Sequence, residues 1–374
     1  MPTGQWTDAL LDRMREVGDP LGDAAIAETY QLGKQDQVRQ ALLGFGHNSD
    51  TVPADLPIRL QQYFDHTGVL PDWADPARIE RGHLLLGRYQ PQMVTILLCS
   101  SLPLCYSCAD GAQVLYRSKR LTSGVYRRLM ETSQFLIDVL DSGGLGPGGR
   151  GVRSAQKIRL LHATMRYHIS RQDDWDTKWG LPINQEDLAG TLLSFSVIIP
   201  RGLSSLGVDL PAADRDAFFH TWRVIGHILG IDHTLNPAEF DHGAALCGTI
   251  LDRQQAPSTA GTALNKGVLD FIREVLPGPA FAGAGPTLIR HLAGDAAADI
   301  VDVPPADITE LGVQLGSALN FGYGTAGDAV PIAAKLAGEL GLVVFKEGLR
   351  ITNKGRRYEW QVPTGLAPMP PSLS

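Results

Sequence analysis

Apolar residues recur every three to four positions along most of this chain, the period of a helix with one buried face. Leu10, Leu11, Met14 and Val17 share one side of Asp8 to Val17. The pattern continues from Ala24 to Leu43, and from Leu56 to Gly68 through Leu60, Tyr63 and Phe64. Asp75 followed by Pro76 reads as an N-cap and first helical residue, opening a helix to Tyr89. Met93 to Cys105 is apolar but short and broken by Pro103, so it reads as a buried core helix rather than a membrane span. Two helical stretches lie between Gly111 and Leu140, separated near Leu121-Thr-Ser-Gly124. Asp141 to Gly149, rich in Gly and Pro, is expected to be a flexible loop.

Further helices are expected over Val152–Ser170, over Leu188–Ile199 after a start at Asn184-Gln-Glu-Asp187, over Ala212–Ile231, and onward from Pro237. A Gly/Ala/Pro-rich stretch, 277–286, sets off a C-terminal part. Strand-like alternation is confined to Leu342-Val-Val-Phe345 and Leu349-Arg-Ile351, with Trp360-Gln-Val beyond, which suggests one small late β-hairpin. The expected architecture is all-α: one mainly helical domain over 1–362, with helical extensions at both ends, and a disordered Pro/Ser-rich tail over 363–374.

The net charge of −7 and the absence of a basic block argue against nucleic acid as a partner. The N-terminus lacks a basic start followed by an apolar run, and a cytoplasmic protein is expected. Cys105-Tyr-Ser-Cys108 has the CxxC spacing, but no second pair completes a zinc site. The four cysteines are read as free thiols.

The segment with most chemistry is Arg159-Leu-Leu-His162-Ala-Thr-Met-Arg166. Residues three and four apart are neighbours on a helix, so both arginines flank His162. Their charge disfavours a protonated imidazole, and the neutral form is the one that ligates a metal. The arginines themselves would pair with heme propionates or with carboxylates elsewhere in the protein.

Competing chemistries fare worse. No Gly-x-Ser-x-Gly elbow supports a Ser-His-Asp hydrolase, and no Gly-Lys-Ser/Thr follows the glycine-rich loop. Glu80-Arg-Gly-His83 and Glu239-Phe-Asp-His242 have the Glu-x-x-His spacing of a di-iron carboxylate site, a spacing that arises easily by chance among ten histidines. His220 and His227 lie two turns apart, too far for one small ion. A helical body with a lone flanked histidine and no CxxCH attachment motif suits a non-covalent heme b. Arg128, Glu131 and Thr132 share a face of the preceding helix and could cap such a pocket.

Several motifs in order resemble the heme-b oxygenase family that contains the latex clearing proteins (rubber oxygenases) and the mycophenolic-acid-pathway oxygenase. They are Pro71-Asp-Trp73-Ala-Asp75 with Gly82; Arg128-Leu-Met-Glu-Thr132; Arg159-Leu-Leu-His162-Ala-Thr-Met-Arg166; Pro182-Ile-Asn-Gln185-Glu-Asp187-Leu with Thr191, Phe195 and Ser196; and His220-Thr-Trp222-Arg-Val-Ile-Gly226. They span about residues 55–250. The resemblance implies a globin-like helical core, His162 as proximal heme ligand, Arg128 and Thr132 on the distal side, and cleavage of an isoprenoid double bond by O2. It leaves open a peroxidase- or monooxygenase-like reaction, a non-catalytic heme sensor of gas, and di-iron oxidation.

The chain departs from the latex clearing proteins where they carry a lysine just before the threonine, for here the residue is Glu131. Their upstream pocket glutamate also has no counterpart near Asp110-Gly-Ala-Gln113. Glu131 is expected either to take over acid–base work or to pair with Arg128. A small apolar substrate, terpenoid or prenylated, is expected.

Overall fold

The computed structural model describes residues 5–117, 125–278, 281, 283–306 and 329–352, with the backbone only for 125–130, 329–332 and 345–352. Seventeen α-helices are found there, joined by turns, short 3-10 segments and one π-helical segment. The N-terminal layer is α1 (Asp8–Arg15), α2 (Pro20–Gln31), α3 (Gln35–Gly44) and α4 (Ile58–Thr67). The expected Ala24–Leu43 helix is thus two helices, divided by a turn in which the Lys34 N–H reaches the Thr29 carbonyl.

The central elements are α5 (Pro76–Ile96), α6 (Leu102–Ser107), α7 (Ala109–Arg117), α8 (Val125–Leu140) and α9 (Gly151–Ile169). The Asp75 side chain caps α5 by accepting from the Ala77 and Arg78 N–H groups. Pro91 lacks a donor and crowds the turn before it, and α5 kinks there at Tyr89. After the π-helical Leu97–Ser101, Pro103 sits harmlessly in the first turn of α6.

The body is completed by α10 (Gln185–Ser196), α11 (Ile198–Ser205), α12 (Ala212–Ile228), α13 (Phe240–Gln254), α14 (Thr259–Val275), α15 (Ala284–Ala293), α16 (Asp295–Ile300) and α17 (Ala329–Thr352). Residues 185–205 are apolar and long enough for a membrane span, but they form α10 and α11 and are mostly buried inside the protein.

The two motifs around Trp73 and His220 explain themselves as a helix junction. Gly82 of α5 lies against the Thr221 hydroxyl and Ala217 carbonyl of α12, where a Cβ would come within 2.3 Å and 2.8 Å of them. The Asp75 N–H donates to the His220 ring at 3.0 Å, and the Arg223 guanidinium lies 3.8 Å from the Trp73 ring centre. Buried Trp222 stacks on Phe195 of α10 at 4.8 Å and meets Phe135 of α8 edge-on. One aromatic cluster therefore joins α8, α10 and α12.

The late hairpin is a correction. Leu342–Phe345 and Leu349–Ile351 lie inside α17. Ala333, Leu336, Ala337, Leu340 and Val344 are buried at helical spacing, and α17 packs along α5 with the Thr95 hydroxyl donating to the Ala337 carbonyl at 2.6 Å. A 24-residue amphipathic stripe outweighs a few β-branched residues at its end. Trp360-Gln-Val and the 363–374 tail lie outside the described residues.

The glycine-rich loop after α8 is also better ordered than expected. Turns close it through Gly144 N–H to Asp141 and Gly151 N–H to Gly144. Asn48 donates to the Gly144 and Gly146 carbonyls and accepts from the Arg153 N–H.

Candidate active site

Helix α9 is held on one face by α2. The Arg159 guanidinium donates to both Asp19 oxygens at 2.6 Å and 2.7 Å, and to the Ile228 carbonyl at 3.0 Å. Arg166 donates to Asp23 and to the Ile183 carbonyl, both at 2.8 Å. These partners are carboxylates and carbonyls of the protein, the second of the two roles open to the arginines. Burial raises the Asp23 pKa from its ordinary value and Arg166 opposes the shift. Ala163, between the two arginines, packs into the cluster of Ala25 and Ile26.

Further links tie this face to the rest of the body. Gln185 donates to the Gly18 and Gly230 carbonyls and accepts from the Asp232 N–H. Gly230 has φ 83°, and a Cβ there would lie 2.5 Å from the Arg159 guanidinium carbon. A flat guanidinium therefore lies where any side chain at this position would stand.

On a helical wheel of about 100° per residue, His162 falls between the Arg159–Ala163–Arg166 ridge and the Ile158–Met165–Ile169 ridge. The latter meets Val114 of α7. The α8–α9 register places Glu131 as well. The two helices form an antiparallel pair across the ordered loop, pinned where the Ser154 hydroxyl donates to Asp138 at 2.6 Å. Asp138, Gln134 and Glu131 follow at one-ridge spacing on α8, all buried. Seven residues back from Asp138 is Glu131, and seven on from Ser154 is Leu161. Glu131 is therefore level with Leu161 and His162. Thr132 is half-buried beside it, and the Arg128 side chain lies outside the described residues.

Among the described residues, no three His, Cys, Asp or Glu side chains converge as a metal site. The two Glu-x-x-His pairs remain separate: Glu80–His83 at 3.7 Å on α5 and Glu239–His242 at 3.9 Å at the start of α13. A bare ion or a di-iron pair needs several protein ligands, whereas a porphyrin brings four nitrogens of its own and needs one. The half-buried imidazole of His162, alone of its kind on this helix face, fits the second demand.

Other singled-out residues have structural partners. Asn184 caps α10 by accepting from the Asp187 N–H. Near Asp110-Gly-Ala-Gln113, Ala112 is buried and Asp110 is paired with Arg15. Arg15 also reaches Glu186 and Asp187, and burial pushes the Asp187 carboxyl up to about 7 against the pull of Arg15. Cys99, Cys105, Cys108 and Cys247 are free thiols, and burial pushes all four pKa values up. Asp19 and Asp23 escaped the sequence reading because they meet α9 only through long-range packing.

The family described as the ER-bound oxygenase mpaB/B'/rubber oxygenase catalytic domain matches residues 91–316. A rubber oxygenase of Streptomyces sp. (strain K30) is 24% identical over 356 residues, covering 93% of this chain and 86% of the relative. The solved structure of a latex clearing protein in its closed state superimposes with a TM-score of 0.74 at 21% identity, over 89% of this chain and 91% of that one. The match with its fold agrees with the all-α body of the described residues. With the family match covering more than half of the sequence, this chain belongs to the mpaB/rubber-oxygenase family and is an oxidoreductase of the oxygenase type.

Proposed function

We propose that the protein is a heme-b oxygenase that uses O2 to cleave a carbon–carbon double bond of an apolar, isoprenoid-like substrate. The observation that carries this reading is His162, a single imidazole on a doubly clamped helix and level with a buried carboxylate of α8. His162 would hold the iron. The heme, when bound, supplies the centre at which O2 is taken up and activated.

The chain's own groups do the rest. Arg159 and Arg166 hold α9 through carboxylates of the protein, which fixes the height and rotation of His162. Glu131, buried on the α8 ridge, holds or moves a proton during turnover in place of the family's lysine. Thr132 offers a hydroxyl beside it, and Arg128, one turn earlier, adds a positive charge on the same helix. Val114, Leu161 and Met165 supply apolar walls that exclude water and suit a hydrocarbon. The substrate class follows the relatives' name, a rubber oxygenase, with a terpenoid or prenylated molecule as the small-molecule form.

The test begins with colour. Purified protein should show a Soret band and a b-type pyridine hemochrome, and His162→Ala should lose stoichiometric heme. Oxygen uptake should accompany carbonyl products from an isoprenoid panel running from squalene to polyisoprene. Glu131→Gln should lower turnover about 100-fold and alter its pH profile. Full turnover with an unchanged profile would overturn the role given to Glu131, and stoichiometric heme in folded His162→Ala would overturn the ligand assignment.

A further inference from the structure

A recess lies beside α9, on the α2 side. It is an open cleft of about 380 Å³ between the start of α2, the end of α4, α9 and the turn after α12. That size falls within the range of small-molecule sites, which combine apolar walls with a few placed polar groups. Val17, Leu21, Ile228 and Ile231 form the apolar part.

The polar groups fall into two classes. Most are already occupied. Asp19 is held by both sides of the Arg159 fork, and Asp232 accepts from the Thr234 N–H and hydroxyl. Gln185 uses its amide on three backbone groups, and the Thr67 hydroxyl is bonded to Tyr63 and Gln156. The remaining groups are the exposed imidazoles of His66 and His227, which make no hydrogen bond among the described residues.

Burial lowers the His227 pKa, and Arg159 of α9, His66 of α4 and Arg223 of its own helix lower it further. The two carboxylates of the cleft, Asp19 and Asp232, are engaged elsewhere as described. The Trp73 ring stands 5.9 Å from that of His227. We propose that this cleft is a binding site for an organic acid with an apolar body, its carboxylate on His66 and His227 and its chain along Val17, Leu21 and Ile231.

His162 does not line this cleft, and the proposal does not depend on the heme assignment. A bound carboxylate would relieve the positive field at His227, so that His227 takes up a proton on binding and affinity rises as pH falls. Arg159 borders the cleft and lies one turn from His162, so an occupant touches the helix that carries the proposed iron ligand.

The test is calorimetric titration of the full chain with sodium octanoate, acetate and inorganic phosphate at pH 6 and pH 8. Octanoate should bind at least about tenfold more tightly than acetate or phosphate (~1.4 kcal/mol), and more tightly at pH 6 than at pH 8. The exposed pair His66→Ala/His227→Ala should weaken octanoate about tenfold without loss of thermal stability. His162→Ala should leave octanoate binding intact, since His162 does not line the cleft. The proposal is overturned if octanoate fails to bind, binds no better than acetate and phosphate, survives the double substitution, or is lost in folded His162→Ala.

Discussion

The two faces of α9 are built on different principles. On the α2 face, the charged groups are closed into pairs, Arg159 with Asp19 and Arg166 with Asp23, and the neutral Gln185 amide meets three backbone groups. On the α8 face, the Ser154 hydroxyl donates to Asp138 near the loop. From there the helices run on to the level where Glu131 and His162 stand, between apolar residues of α7 and α9. The contrast assigns rigidity to one side and chemistry to the other. A catalytic group keeps its geometry when the element that carries it is locked by contacts away from the reaction.

The largest effect expected from this contrast is structural. Asp19→Ala leaves Arg159 buried and without its carboxylate, a loss of the kind that costs about 3–5 kcal/mol. Thermal unfolding should show a fall of about 5 °C (roughly 1–1.5 °C per kcal/mol for a chain of this length at ~2.1 cal/mol/K per residue). The fraction that remains folded should still bind heme at His162. If Asp19→Ala instead kept its melting temperature and lost heme, the division between the two faces would be wrong.

A smaller effect concerns acid, and it lies away from both faces. Buried His220 accepts from the Asp75 N–H, which requires its neutral form. Burial, helped by Arg78 and Arg223, holds its pKa down at about 4. The unfolded chain takes up that proton near pH 6.5, so the unfolded state binds more protons between about 6.5 and 4, and stability falls as pH drops through this window. The loss is at most ~1.4 kcal/mol per unit. His220→Gln, which keeps an acceptor and cannot charge, should flatten that part of the stability curve. An unchanged curve would show that other groups carry the acid response.

How far the sequence reveals these features depends on range. Periodicity located most of the helices because apolar spacing is local, and the Asp75 and Asn184 caps were legible for the same reason. The octapeptide around His162 exposed the arginine–histidine grouping, but not that Asp19 and Asp23, over 140 positions earlier, neutralise the arginines. The α17 stripe was misread because its last residues are β-branched while the buried positions before them fix the period. The glycine-rich loop looked flexible because its ordering depends on Asn48, about a hundred residues away.

The smallest stability effect should carry the clearest functional trace. Ser154→Ala removes one hydrogen bond to Asp138, while Gln134 still donates to that carboxylate at 2.9 Å. The expected cost is about 1–2 kcal/mol, within the range for a single bond to a charged group. Yet this bond sets the register of α8 against α9, and two turns along that register stands the level of Glu131 and His162. A shift of α8 there changes where Glu131 stands relative to the ring of His162. Ser154→Ala should therefore lower turnover and move the Soret maximum by more than Asp19→Ala does per folded molecule, although it destabilises far less. If the two variants instead ranked in activity as they rank in stability, α9 would be a single rigid support with no division of labour between its faces.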